Sequence, residues 1–298
     1  MPRVTVIRNP ASGRGRRAAW DAVAHHFADA EVMLTEGPGH AMRLAQDAAT
    51  RSEIVVAAGG DGTVAEVAEG LIGTPAALAV LPLGTGNDFA RTLGYGPDVQ
   101  AALRALEGEA VEVDAYRWSC GVRSGCGINV AGCGFDAVVA QRINHGYRWL
   151  RGTTAYVASV LETLVRYQAN PIWIEVDGKG LETTAMLVAV ANAQSYGGGM
   201  RVAPAASITD GLLDVTIVEG VGKLEFLRTF PKVFKGTHVD HPKVKTLRGR
   251  IVKVHATPEL PVLADGELVG GTPATFEVIP QALRVMHERG TVVPAAPR

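Results

Sequence analysis

The stretch that decides the fold reads Val55-Val56-Ala57-Ala58-Gly59-Gly60-Asp61-Gly62-Thr63. Four small apolar residues lead into a glycine-rich turn, and apolar residues at helical spacing follow from Val64 to Leu71. This pattern predicts a buried strand, a tight turn and a helix. Glycine lets the backbone approach a bulky anion, and a helix N-terminus offers unpaired N–H groups. The stretch therefore favours a phosphate site, with an ordinary strand–helix turn as the alternative.

A second turn of the same kind follows the apolar run from Ala76 to Leu83. It contains Asp88, as the first contains Asp61. Strands that alternate with helices form a parallel sheet, whose carboxyl ends meet at one edge. The two carboxylates are then expected to converge, as Mg²⁺ requires when it joins a nucleotide to protein. The alternative for Asp88 is a helix N-cap.

The pattern of the chain changes near Trp118. Before it, strands alternate with helices, which predicts an α/β nucleotide-binding domain over residues 1–117 with a doubly wound parallel sheet. After it, alternating runs and the turn dipeptides Asp177-Gly178 and Asp265-Gly266 predict a mainly antiparallel β-sandwich over residues 118–282. Helices are expected at 136–148, 155–167 and 223–234. The final segment, 283–298, is expected to return to the first domain or to form a tail.

Composition excludes several classes of protein. The 298 residues carry a net charge of −1, so nothing marks a general nucleic-acid binder. The longest apolar runs are too short to span a bilayer, and the start of the chain reads as a strand rather than a signal peptide, so we expect a cytoplasmic protein. The three cysteines have neither CxxC nor zinc-site spacing and are expected to be structural thiols.

Three segments resemble the diacylglycerol kinase catalytic domain family, and most closely its soluble bacterial lipid kinases. They are Asn9 to Gly13, Gly59 to Thr63 and Pro82 to Arg91. The Gly-Gly-Asp-Gly-Thr turn is shared with sphingosine, ceramide and NAD kinases. The run Gly-Thr-Gly-Asn-Asp-Phe-Ala-Arg is more specific to the lipid-kinase branch.

The resemblance implies an active site in the cleft between the two domains, with ATP as co-substrate and Mg²⁺ as cofactor. It implies that the Mg²⁺ network includes Asp61, Asp88 and an acid ending the next strand, here Asp114, which could instead be a simple polar strand end. It implies an ATP site made of Asn9, Thr35, Gly59, Gly60, Asp61, Gly62, Thr63, Thr85 and Asn87.

The segment from Asn192 to Val215 is similar to a second signature of the family. By that resemblance, the Asp210 side chain and the backbone carbonyls of Ser207 and Leu212 hold a structural Mg²⁺. Without the resemblance, Asp210-Gly211 is an ordinary turn before a strand.

The tripeptide Asp265-Gly266-Glu267 predicts a hairpin turn and no more on pattern alone. In the family, an Asp-Gly-Glu at this point reaches the active site, and one carboxylate takes the proton from the lipid hydroxyl. We assign Glu267 as that base, with Asp265 as the alternative base or as its partner. The two could also titrate as a coupled pair.

The segment from Lys223 to Lys253 holds nine Lys and Arg residues against two acids, a net charge of +7 in a chain of −1. Apolar residues recur within it near helical spacing. A lipid kinase must meet its substrate at a bilayer, so the segment is expected to face an anionic membrane surface, where each basic residue adds about 1 kcal/mol. The alternative is a packed helix with a solvated basic face.

The sequence therefore predicts an ATP-dependent lipid kinase that phosphorylates diacylglycerol to phosphatidic acid. A sphingoid base or ceramide as acceptor is a close alternative, and a catalytically weak nucleotide-binding lipid sensor is a more distant one. The acceptor, the nucleotide preference and the oligomeric state, monomer or homodimer, are left open by the sequence.

Overall fold

A computed structural model of the chain describes residues 2–12, 17–146, 162–164 and 166–290. Short 3-10 segments follow α1 and α7. The helices are Arg17–Val23 (α1), His40–Ala48 (α2), Asp61–Leu71 (α3), Asp88–Thr92 (α4), Val99–Leu106 (α5), Phe135–Gly146 (α6) and Lys223–Thr229 (α7). The strands are Val4–Arg8 (β1), Glu31–Leu34 (β2), Ile54–Gly59 (β3), Ala77–Pro82 (β4), Glu109–Cys120 (β5), Arg123–Gly127 (β6), Val130–Gly134 (β7), Asn170–Val176 (β8), Lys179–Ala191 (β9), Leu213–Glu219 (β10), Val244–Gly249 (β11), Ile251–Ala256 (β12), Pro261–Ala264 (β13), Glu267–Gly271 (β14) and Ala274–His287 (β15).

The N-terminal part is an α/β unit, as predicted. Its strands lie parallel in the order β2-β1-β3-β4. Every residue of β3 and β4 is buried, because helices cover the sheet on both faces. One apolar cluster joins the sheet to α2 and α3, and another joins it to α1 and α5. This packing places the carboxyl ends of β3 and β4 side by side.

The C-terminal part is mainly antiparallel and sandwich-like. Its strands follow the order β14-β13-β7-β9-β8-β12-β15, with β10 and β11 branching from β9 and with β6 paired to β5. A single apolar cluster draws residues from β5, β7 to β10 and β12 to β15, so the sheet curls around its own core. Ile174, Val215 and Val252 are among the completely buried members of this cluster.

Two long strands join the two parts. The whole length of β15 pairs antiparallel with β5, apart from a register shift between Ile279 and Leu283. Beyond that shift, β15 also lies parallel to β4 through Arg284 and Val285. The hydrogen-bonded sheet is therefore continuous from one part to the other, and β5 and β15 run through residues 117 and 282, where the domain limits were placed.

Both predicted hairpin turns are present. Asp177-Gly178 joins β8 to β9, and Asp265-Gly266 joins β13 to β14. All four residues have positive φ angles between 47° and 89°, as a two-residue hairpin of the type I′ geometry requires. The second turn brings Glu267 to the start of β14.

The predicted helices agree with the structure in part. The helix expected from residue 136 is α6, and most of the one expected at 155–167 lies outside the described residues. The helix expected at 223–234 is α-helical only to Thr229 and continues as a 3-10 segment, Phe230–Lys235. Pro231 explains the change, because it has no N–H to continue the α-helical ladder.

Candidate active site

The two glycine-rich turns that follow β3 and β4 meet backbone to backbone. A Cβ added to Gly84 would overlap the Cα of Gly60. The two turns can therefore pack this closely only because residue 84 has no side chain. The carboxamide of Asn87 fixes the second turn: its Oδ1 accepts from the Gly84 N–H over 2.8 Å, and its Nδ2 donates to the Gly84 carbonyl over 3.0 Å. Asn87 therefore shapes the turn with its whole side chain.

Asp61 and Asp88 converge beside Gly86, as the parallel sheet predicts: a Cβ added to Gly86 would lie 2.6 Å from Asp61 Oδ2 and 3.1 Å from Asp88 Oδ2. The Asp61 carboxylate accepts the N–H groups of Asn87 and Asp88 over 2.9 and 2.6 Å. The Asp88 carboxylate accepts the N–H groups of Gly198 and Gly199 over 2.9 and 2.7 Å. Burial raises the pKa of Asp88, and the neighbouring Asp61 charge acts in the same direction. Each carboxylate ties one loop to the next and still keeps lone pairs for a further ligand.

Of the remaining predicted nucleotide residues, Asn9 and Thr63 meet at the start of α3. Asn9 Nδ2 donates to Thr63 Oγ1 over 3.1 Å, which links the first loop of the chain to the helix. The Gly60 N–H donates to Ser12 Oγ over 3.3 Å. Thr35 lies beside β1, with its N–H on the Arg8 carbonyl, and Thr85 is exposed at the rim. Arg14 and Arg16, which follow the Asn9 loop, lie outside the described residues.

Asp265 is held firmly in place. Its carboxylate accepts the Tyr116 hydroxyl over 2.8 Å and the N–H groups of Ile128 and Asn129 over 2.7 and 2.9 Å. Burial raises the pKa of Asp265 to about 6, against the opposing effect of these hydrogen bonds. The side chain anchors the β13–β14 turn to β5 and to the start of β7.

Glu267 has the opposite surroundings. Its side chain is exposed, and it makes no hydrogen bond or ion pair within the described part of the chain. A Cβ added to Gly62, in the first turn of α3, would lie 4.0 Å from Glu267 Oε1. The Glu267 carboxylate thus reaches from the C-terminal part of the molecule to the glycine-rich turn before α3, whereas three donors already bind the Asp265 carboxylate.

Asp114 differs from the expectation that it ends a strand. It lies in the middle of β5, which continues to Cys120, and is 2% exposed. Its carboxylate accepts the N–H groups of Gly211 and Gln281 over 2.7 and 2.9 Å. Asp114 therefore joins the 207–212 loop to the irregular point of β15, and these contacts lie apart from the N–H groups that bind Asp61 and Asp88.

Asp210, the carboxylate expected to hold a structural Mg²⁺, is paired with an arginine instead. The Arg248 guanidinium contacts Asp210 Oδ2 and donates through Nε to Asp214 Oδ2 over 3.2 Å. The other oxygen of Asp210 accepts the Leu212 N–H over 3.1 Å, and the Ser207 hydroxyl lies 3.2 Å from that of Thr209. A cationic group of the chain itself therefore already occupies the carboxylate, so this donor set does not fit the implied metal.

Other findings limit the site. No group of three or more His, Cys, Asp or Glu side chains within residues 2–12, 17–146, 162–164 and 166–290 could hold a metal by itself. In the same ranges, no helix is long and apolar enough to cross a membrane. All three cysteines are free thiols, as expected.

Sequence reasoning missed Tyr116, and it identified the signature from Asn192 to Val215 without the partner of its glycine run at 197–199. Tyr116 is fully buried in β5, and nothing in its local pattern distinguishes it from a core residue. The glycine run at 197–199 was a signal for close contact with another group, and that group is the Asp88 carboxylate.

Comparison with known proteins places both parts of the chain. Residues 3–118 match the model of the diacylglycerol kinase catalytic domain, and residues 129–287 match that of the YegS C-terminal NAD kinase beta sandwich-like domain.

Curated relatives match nearly the full length. The diacylglycerol kinase of Mycobacterium tuberculosis is 35% identical over 300 residues, covering 96% of each chain. That of Bacillus subtilis is 31% identical over 286 residues, covering 93% of each chain. The crystal structure of a diacylglycerol kinase from Bacillus anthracis matches with a TM-score of 0.72 at 22% identity, covering 96% of this chain and 97% of that chain, a likeness of fold alone.

Proposed function

The chain belongs to the diacylglycerol kinase family of lipid kinases, and on that premise we propose that it transfers the γ-phosphoryl group of Mg²⁺-bound ATP to the hydroxyl of diacylglycerol. The products are phosphatidic acid and ADP. The observation that carries the proposal is the position of Glu267, whose exposed carboxylate faces the Gly62 end of the nucleotide turn. Phosphoryl transfer to an alcohol needs a base beside a phosphate-binding turn, and little other covalent help from the protein.

The first turn of α3 serves as the phosphate-binding site, called the phosphate seat below. Its free N–H groups and the positive end of its dipole favour an anion, and Gly60 and Gly62 leave the approach open. Asn9 and Thr63 are already joined by a hydrogen bond at this point, which fixes the wall of the seat. Thr35 and Thr85 lie at its margin.

Asp61 and Asp88 would hold Mg²⁺, through water where the distance requires it. Both carboxylates lie beside Gly86 and both retain unused lone pairs, so the donor set fits a hard cation that keeps part of its water shell. When bound, Mg²⁺ neutralises charge on the phosphate oxygens. Asp114 contributes by fixing the loops around β5.

In the proposed reaction, Glu267 accepts the proton of the lipid hydroxyl as the hydroxyl oxygen forms a bond to the γ-phosphorus. The bond between that phosphorus and the bridging oxygen of ADP breaks, and ADP leaves with the bonding electrons. Asp265 keeps the β13–β14 turn in position through Tyr116 and the two N–H groups, and these three hydrogen bonds support a positioning role for it rather than that of the base.

A lipid panel tests the acceptor. Purified protein, labelled ATP and Mg²⁺ are incubated with diacylglycerol, a sphingoid base and ceramide in mixed micelles. Labelled phosphatidic acid is the expected product. A label on another lipid would change the acceptor, and ATP binding without any labelled lipid would indicate a sensor.

We further propose that the protein meets its substrate as a peripheral protein of an anionic membrane, from the cytoplasmic side. Helix α7 buries none of its residues, and Leu224 and Phe234 are 70% and 50% exposed. Lys235 follows Phe234 directly and Lys232 lies two residues before it, which suits contact with a charged lipid surface.

The proposed membrane-binding surface of the protein is smaller than the basic segment from Lys223 to Lys253. Lys243, Lys245 and Lys253 form ion pairs with glutamates within 3.3 Å, and Arg248 binds two aspartates. Their charge is balanced within the fold, so residues 223–235 carry the proposed contact.

A further inference from the structure

The 207–212 loop is a point where the chain departs from what its family resemblance implies. Asp210 lies between Ser207 and Leu212, the residues expected to supply carbonyl ligands to a metal, and Asp214 is 5% exposed at the start of β10. Two carboxylates this close, one of them nearly buried, need a cation to offset their repulsion and the lost hydration.

Arg248 supplies that charge. It stands on β11 directly across from Asp214 in the antiparallel register of β10 and β11. Its Nη2 contacts Asp210 and its Nε donates to Asp214, so one planar fork spans both acids. Burial raises the pKa of Asp214, and the charge and hydrogen bond of Arg248 act to lower it.

We propose that Arg248 is the built-in cation of this loop and replaces a structural Mg²⁺. The Asp210 loop then needs no metal, and the magnesium requirement of the protein arises at Asp61 and Asp88. Asp114 holds the neighbouring Gly211 from the other side, so the loop is fixed by protein groups at both positions.

Thermal unfolding of the full chain tests this proposal, in EDTA and in 5 mM Mg²⁺ without nucleotide. Mg²⁺ bound at Asp61 and Asp88 raises the midpoint of any variant, so the Mg²⁺-dependent rise is compared between variants. We expect equal rises for the wild type and Asp210→Asn. Arg248→Met should lower the midpoint in EDTA by at least about 5 °C and show a larger rise with Mg²⁺. The double variant Asp210→Asn/Arg248→Met should lose that extra rise.

Lys245→Met is the matched control, since it removes a 2.6 Å ion pair to Glu219 from the same strand pair. It should show only the wild-type rise. The proposal is overturned if the wild type rises more than Asp210→Asn, if Arg248→Met keeps the wild-type midpoint in EDTA, or if its rise equals that of the control.

Should Arg248→Met fold only in Mg²⁺, the proposal is supported directly. Should it fail to fold in both conditions, the double variant decides. A folded double variant supports charge balance as the role of Arg248, and an unfolded one overturns it in favour of packing.

Discussion

Glu267 Oε1 faces Gly62, at 4.0 Å from where a Cβ on Gly62 would lie. This relationship brings the β13–β14 hairpin, more than 200 residues away in sequence, to the first turn of α3. It also distinguishes two acids that the Asp-Gly-Glu motif leaves as equal candidates for the base. Asp265, in the same hairpin, is already bound by three donors.

Glu267→Gln should keep ATP affinity and thermal stability and lose turnover by roughly 100-fold or more, since an amide cannot accept the proton. Steady-state kinetics with diacylglycerol, together with nucleotide titration, measure both quantities. Near-wild-type turnover in this variant, combined with abolished turnover in a folded Asp265→Asn, would reverse the assignment of the base.

Tyr116→Phe should destabilise the protein by about 1.5–3 kcal/mol, because it removes the hydroxyl that donates to a carboxylate. Turnover should fall less than in Glu267→Gln, since the base itself is intact. Urea unfolding and kinetics on the same samples separate the two effects. The matched control is Tyr95→Phe, whose hydroxyl makes a longer hydrogen bond of 3.4 Å to a neutral carbonyl, that of Val80.

Gly84→Ala should impair folding, whereas Gly62→Ala should impair ATP binding. The first places a methyl group on the Gly60 backbone and should lower the melting temperature strongly or prevent folding. The second meets only an ordinary contact in a helix, so it should fold normally but raise the KM for ATP by crowding the phosphate seat. Gly37→Ala, where nothing lies within 4 Å of the added atom, is the control and should match the wild type. An unchanged KM in Gly62→Ala would contradict the assigned seat.

Asp136 should make stability depend on pH. Burial raises the pKa of Asp136 from its ordinary value of 3.8 to about 6, although Ala137 N–H and the Tyr196 hydroxyl oppose the rise. The folded chain therefore holds this proton more tightly than the unfolded chain. Its stability should fall as pH rises from about 4 to about 6, by at most about 1.4 kcal/mol per pH unit for this group.

Asp265 contributes in the same window, since its pKa is also raised to about 6. Asp136→Asn should consequently show a smaller fall than the wild type in urea unfolding at pH 4.5 and 6.5. An equal fall in the two proteins would show that Asp136 does not titrate in this way.

Lys232→Glu/Lys235→Glu and Leu224→Ser/Phe234→Ser should each reduce co-sedimentation with anionic vesicles several-fold while leaving the fold intact. The first removes electrostatic attraction and the second the apolar contact. Val122→Ser changes a still more exposed apolar residue in the β5–β6 turn, and this variant should bind as the wild type does. Undiminished binding in both double variants would exclude residues 223–235 as the membrane surface.

Local sequence patterns were enough to predict most of the helices and strands, and the part of the candidate site that contains Asp61 and Asp88. The glycine turns after β3 and β4 were predictable because buried strands, glycine-rich turns and helix starts have strong local signatures. The same rule placed Asp61 beside Asp88. The position of Asp114 inside β5 was missed, because an acid within a strand gives no local sign of the N–H groups that will bind it.

The sequence by itself determined the α/β class, the phosphate turn and the candidate acids, since each depends on neighbours within a few residues. Only the tertiary structure decided that Asp265 is bound by three donors while Glu267 is exposed, and that Arg248 contacts Asp210. Both outcomes depend on hydrogen-bond donors and charges contributed by strands distant in the chain. Burial and partner choice are properties of the packed sheet, and local patterning does not encode them.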